Sequence, residues 1–419
     1  MTDTDDELIA DDLENSDLAL FSVEPENSGT ESESDIAEIK DMDFRNVVLA
    51  PSDWTVQTII SQLGSKSFDL NPDFQRRNAW TDSRKSKFIE SLILGLPIPQ
   101  ITFAEHEIDD DGFTRYIVID GKQRLLALES FYSEHSPLQL NGLTVLPQLN
   151  GLTRADILSD AAISRYANRL TNRTIRTVVI KQWPSKEFLH LVFHRINHQT
   201  LPLSAQELRQ ALSPGPFTRF ADDFAGRSRE LHRILGVSQM PDFRMRDVEL
   251  LVRFLAFRFN IEAYRGNLKK FLDETCDELN RNWRTTESAV LDESRKCNEA
   301  IRATEEIFGD HAFHRVAETG QWETRFNRTV FDIMLYYFSD PRIVDLALVD
   351  KDAVVSAFYE LNTSDRIFSL ALTTTTKTVG ATSRRLSAWG DRLSEVLNVS
   401  LKVPRLTEGG RRIEIDDVD

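Results

Sequence analysis

The stretch YIVIDGKQRLLAL, residues 116–128, passes from an apolar run of β type through Asp120-Gly121-Lys122-Gln123-Arg124 into a leucine-rich segment with helical spacing. A buried strand handing over to a helix is a costly place for charge, so chemistry is expected there. Gly121 permits a tight turn, and a helix starting behind it offers backbone N–H groups and the positive end of its dipole. Lys122 and Arg124 add cationic donors where that dipole disfavours them, which calls for a balancing anion, and phosphate fits. Asp120, at the strand end, is placed to hold Mg2+ or to orient a basic residue, and Gln123 to position a water for attack on phosphate. The structural alternative is that Asp120 pairs with Lys122 or Arg124 and the motif only starts a helix. The spacing is not that of a Walker-type glycine-lysine loop, which excludes a P-loop NTPase.

Other residues with chemical potential carry less. Arg165, Arg169 and Arg173 recur every four residues in SRYANRLTNRTIRTVVIKQW, a helical stripe able to meet a nucleic-acid backbone, with a solvated helix face as the alternative. His190, His194 and His198 share that spacing, but no acidic partner follows at ligand distance and the polar HQT ends the helix, so no metal site is expected. Asp310, His311 and His314 in GDHAFHRV match no HNH nuclease pattern and are expected to open a helix. Cys276 and Cys297 form no CxxC pair, which argues against zinc and against a disulfide framework.

These residues need elements to hold them. The pattern predicts a short strand before a turn at Pro51–Asp53, a helix from Thr55 to Leu63, and a helix capped at Asp82 and ended by Gly95. A strand follows in LPIPQITFAEH, its prolines suggesting an edge, paired as a hairpin with 115–119. Asn141-Gly142 signals another hairpin, 151–173 reads as helical, and TIRTVVIKQW as the last clear strand. Helices follow in SKEFLHLVFHRIN and LSAQELRQAL, the latter opened by a capping box of Ser204 and Glu207. From about 241 to 398 the periodicity is helical nearly throughout.

The chain of 419 residues is long enough for two or three folding units, and 41% hydrophobic with 28% charged residues is ordinary for a globular protein. Its net charge of −17 is concentrated in residues 1–43, where sixteen acidic residues face the single Lys40. That acidic tail is expected to be disordered, as a solubilising segment or as an arm competing with nucleic acid. The predicted class is α+β: a tail at 1–43, an α+β domain at 44–212, an α-helical domain at 213–400 and a loose end at 401–419. No run of eighteen apolar residues and no signal-peptide pattern occurs, so a cytoplasmic location is expected.

The ordered motifs FQRRNAW, FIESLILGLPIPQITFAE, YIVIDGKQRLLALESF, VFHRINHQTLPLSAQELRQAL and MRDVELLVRFLAF resemble the N-terminal domain family of GmrSD-type restriction endonucleases. The resemblance covers about 55–260. It implies a ParB/sulfiredoxin-like fold and nucleotide binding and hydrolysis in a phage-defence protein, with an NTP and Mg2+ as cofactors. It further implies that Gln75, Arg76, Arg195, Asn197, Glu207 and Arg209 lie near the pocket formed by Asp120, Gly121, Lys122, Gln123 and Arg124. The family's usual motif is Asp-Gly-Gln-Gln-Arg, and Lys122 replaces its first glutamine, so phosphate contact is retained while hydrolysis is in question. Sulfiredoxin chemistry needs a cysteine in this loop, and none is present. Foreign DNA and a separately encoded nuclease are the expected partners. A non-catalytic DNA-binding or adaptor module and a nuclease with an unfamiliar site remain as alternatives.

Overall fold

The structure is a computed structural model; it describes residues 46–65, 67–68, 80–108, 114–196, 204–237, 241–242, 244–317, 319–373, 376–407 and 409–415. Their contacts divide at Glu249/Leu250 into two units, and the architecture is mixed α+β.

The first unit is built on a four-stranded sheet. In chain order its elements are β1 (Val48–Thr55), α1 (Val56–Gly64), α2 (Asp82–Leu94), β2 (Ile101–Ile108), β3 (Thr114–Asp120), α3 (Lys122–Tyr132), α4 (Arg154–Ser159), α5 (Ser164–Thr171), β4 (Thr174–Lys181), α6 (Lys186–Ile196), α7 (Ala205–Leu212), α8 (Pro216–Ala225) and α9 (Arg229–Ile234). The strand order is β1-β4-β2-β3, with β4 and β2 parallel and the other two pairings antiparallel. The expected β2–β3 hairpin is therefore present.

Alternation along β3 explains the apolar run that precedes the polar turn. Val118, with Tyr116 packed beside it, belongs to a core with residues of α1, α2, α3 and α5, including Ile59, Ile89, Leu125 and Leu170. Ile117 and Ile119 enter a second core with Phe188, Leu189 and Phe193 of α6 and Leu208 and Leu212 of α7. A strand covered on both faces reads as continuous hydrophobicity. Trp54, Phe68, Phe103 and Tyr116 form an aromatic cluster on the first face, with neighbouring ring centroids 4.7–6.1 Å apart.

Several local expectations change. β1 runs straight through Pro51, opposite Val178, instead of turning there. Its outer position in the sheet explains the tolerance, because an edge strand has one side without ladder partners. The prolines at 97 and 99 precede β2, which lies inside the sheet between β4 and β3. The N-cap of α2 is Thr81, whose hydroxyl accepts from the Arg84 N–H, and Asp82 is the first helical residue. Gly142 does take positive φ, but the described residues 133–153 hold no strand, only a short 3-10 turn at Pro147–Leu149.

The second unit is helical: α10 (Arg246–Asn260) brings the chain into it, followed by α11 (Leu268–Arg281), α12 (Trp283–Phe308), α13 (Arg328–Phe338), α14 (Pro341–Val349), α15 (Lys351–Ser364), α16 (Arg366–Thr373) and α17 (Val379–Leu397). The chain end expected to be loose forms an antiparallel pair, β5 (Pro404–Leu406) with β6 (Ile413–Ile415), anchored by buried Val403 and Ile413. Gly309–His311 is a 3-10 turn closing α12, not the start of a helix, and His311 stacks on Trp322 at 4.5 Å.

A buried ionic triad ties α10, α13 and α17 together. Arg253 donates to both oxygens of Asp332 at 2.5 and 2.7 Å, and Arg385 reaches the same carboxylate at 3.4 Å. Arg385 also donates to the Thr376 carbonyl at 2.6 Å. Burial lowers the Arg385 pKa, and Asp332 opposes the shift. Gly390 has a steric purpose in the same unit: a Cβ there would lie 2.1 Å from the Tyr337 hydroxyl, which donates to the Leu386 carbonyl.

Candidate functional site

β3 ends at Asp120 and α3 begins at Lys122, so the polar turn consists of the last strand residue, Gly121 and the first helical turn. Gly121 has φ +103°, and an added Cβ would lie 2.8 Å from Ile101 Cγ2, so conformation and space both require glycine. Gly121 offers α3 no side-chain cap. The ladder between β2 and β3 slips between Thr102 and Phe103, which places Asp120 opposite Thr102. Such slips re-aim side chains at sheet ends.

Arg124 closes the turn. Its Nη2 donates to Asp120 Oδ2 at 2.7 Å, and its Nη1 donates to the carbonyls of Pro99 and Gln100 at 2.6 and 3.0 Å. One guanidinium thus joins the end of β3, the first turn of α3 and the chain entering β2. The pairing of Asp120 with Arg124 is the structural option that the spacing left open. It also answers the cost of a cation at a helix N-terminus, since the Asp120 carboxylate lies against it.

Lys122 is 8% exposed, and its Nζ lies 3.5 Å from Glu207 Oε1 on α7. Glu207 simultaneously completes the expected capping box: its Oε2 accepts from the Ser204 N–H at 2.7 Å while Ser204 Oγ accepts from the Glu207 N–H at 3.0 Å. Gln123 Oε1 accepts from the Trp80 N–H at 3.3 Å. Arg209 donates to Gln206 Oε1 at 2.7 Å and is buried with it on α7. Residues 206–210 are thus all buried although four of the five are polar.

Two groups that sequence reasoning missed stand beside these. Thr102 Oγ1, opposite Asp120, is buried with no hydrogen-bond partner, and so is Gln206 Nε2. A buried polar atom without a partner is uncommon and points to a missing ligand or water. Sequence signals for them are slight: Thr102 is the lone hydroxyl of ITFAEHEI, and Gln206 lies within the polar QELRQ run.

Residues 56–213 match the model of the family described as GmrSD restriction endonuclease, N-terminal domain. The chain carries a GmrSD N-terminal domain. The match begins at the first residue of α1 and ends just past α7, so the turn, Glu207 and Arg209 all lie within the GmrSD domain. A search of curated proteins found no match.

Within the GmrSD domain the sequence-derived residues separate. Asp120, Gly121 and Arg124 meet in one turn, and Lys122 meets Glu207. Arg195 is exposed on α6, and Gln75, Arg76 and Asn197 lie outside the described residues, as do His198 and the side chains of His190 and His194. Arg165 and Arg169 are exposed on α5, with Arg165 donating to the Tyr166 hydroxyl at 3.3 Å. Arg173 leaves that row: it lies past the end of α5 and donates to the Gly95 carbonyl at 2.7 Å, satisfying the C-terminal end of α2. Among the described residues no group of three or more His, Cys, Asp and Glu side chains is arranged to hold a metal ion.

Proposed function

We propose that the GmrSD domain binds a nucleoside triphosphate at the Asp120–Arg124 turn and hydrolyses it, in a cytoplasmic restriction or anti-phage defence protein that senses foreign DNA. The observation that carries this reading is Lys122, a nearly buried cation on the first residue of a helix lacking a side-chain cap. In this reading its ammonium and the N-terminal amides of α3 would together receive phosphate. The family match supports the restriction context, and the ParB/sulfiredoxin-like fold belongs to the same proposal.

Arg124 acts in this reading as the residue that fixes the turn, because its donors are engaged by Asp120, Pro99 and Gln100. The donors present suit Mg2+ held in the usual way, by one carboxylate and nucleotide phosphates, and Thr102, whose buried hydroxyl has no partner, is the residue opposite Asp120 in the ladder. Mg2+, when bound, supplies charge neutralisation to the phosphates. Asp120 would hold it through the carboxylate that Arg124 orients. Gln123 has its oxygen on the Trp80 N–H, so its Nε2 is the group available for a water or a phosphate oxygen.

That engagement of Gln123 and Asp120 favours a second reading, in which the nucleotide is held and not turned over. The two separate in an assay of phosphate release from ATP, GTP, CTP and UTP, with and without DNA, in Mg2+ and in EDTA. Mg2+-dependent release supports hydrolysis. Tight binding without release supports the holding module, and neither binding nor release under any condition refutes the proposed function.

A further inference from the structure

We propose that Glu207 is a built-in competitor for the phosphate-binding lysine: its carboxylate holds Lys122 until a polyphosphate displaces it. This rests on the nucleotide reading above. The two oxygens of Glu207 have unequal contacts. Oε2 is fixed by the Ser204 N–H at 2.7 Å, whereas Oε1 meets Lys122 Nζ at 3.5 Å, the upper limit of a hydrogen bond. Both side chains are less than one-tenth exposed, so water screens the pair poorly.

Because the capping bonds hold the carboxylate without help from Lys122, the lysine can change partner while α7 keeps its cap. The long, flexible lysine stem makes that exchange possible without backbone movement. A polyphosphate that binds Lys122 must therefore compete with a carboxylate already placed at its ammonium.

The substitution Glu207→Gln isolates the effect, since glutamine fills the same capping-box position and accepts from the Ser204 N–H as glutamate does. Calorimetric titration with inorganic tripolyphosphate and with ATP, GTP, CTP and UTP should show Glu207→Gln binding tighter than the parent by roughly five- to tenfold. The gain should vanish when Lys122→Gln is compared with Lys122→Gln/Glu207→Gln. Ser204→Ala, which weakens the cap and leaves the charge, should not reproduce the gain, and thermal melts of all variants report folding separately. If the parent binds a probe and Glu207→Gln binds it equally or more weakly, Glu207 orients Lys122 or is neutral, and the proposal fails alone. The same gain in the Lys122→Gln background also overturns it. If neither parent nor Glu207→Gln binds any probe, the nucleotide reading fails and this proposal with it.

Discussion

Two cations two residues apart, Lys122 and Arg124, look equivalent in the sequence and differ in the structure. Arg124 has three acceptors within 3.0 Å, so Arg124→Ala strands the Asp120 carboxylate and two carbonyls in a poorly hydrated turn. Loss of one partner of such a pair costs on the order of 3–5 kcal/mol, and denaturant melts should show a loss of that size. Lys122→Ala also removes one partner of a buried pair, with Glu207, but the contact is long and the Ser204 N–H still holds that carboxylate, so its melt should fall by less than that of Arg124→Ala. Gly121→Ala forces both positive φ and a contact with Ile101, and it should lower stability by at least about 1–2 kcal/mol. The sequence showed that these residues cluster. It did not show that Arg124 closes the turn while Lys122 meets Glu207, because the acceptors, the Pro99 and Gln100 carbonyls and the Glu207 carboxylate, come from chain segments more than twenty residues away.

At the scale of elements, the sequence is most informative where burial follows period. The β2–β3 hairpin, β4, α3 and the capping box of α7 follow from alternation, helical spacing and cap chemistry. Pro51 misled because its compatibility with β1 depends on the strand being at the sheet edge, a property of the assembled sheet and not of local sequence. The β5–β6 pair was hidden by its length, three residues a strand, too short for a period to register. Spacing likewise grouped Arg173 with Arg165 and Arg169, although the helix stops at Thr171. The consequence is testable. If α5 meets DNA, Arg165→Ala/Arg169→Ala should weaken binding across all sequences and reduce the salt slope by about one unit for each phosphate no longer neutralised. Arg173→Ala should instead lower thermal stability with little change in that slope.

At the scale of the molecule, the GmrSD match ends at residue 213, and the remaining helical unit has a polar centre of its own. Two arginines share the Asp332 carboxylate in its interior. Asp332→Ala should destabilise that unit by on the order of 3–5 kcal/mol, because two guanidinium groups lose their anion. Gly390→Ala should disrupt the α13–α17 packing at Tyr337, seen as a lower thermal midpoint. The sequence showed this region as helical but gave no sign of the triad, whose members are scattered from Arg253 to Arg385. The central claim concerns the first unit, and one measurement bears on it most directly: titration calorimetry of ATP, GTP, CTP and UTP against the parent protein and Lys122→Ala. The account predicts binding of at least one nucleotide by the parent and a loss of at least about tenfold in affinity in Lys122→Ala, read at a temperature where melts show both proteins folded. Equal affinity in the two proteins, or no binding by a folded parent, would contradict it.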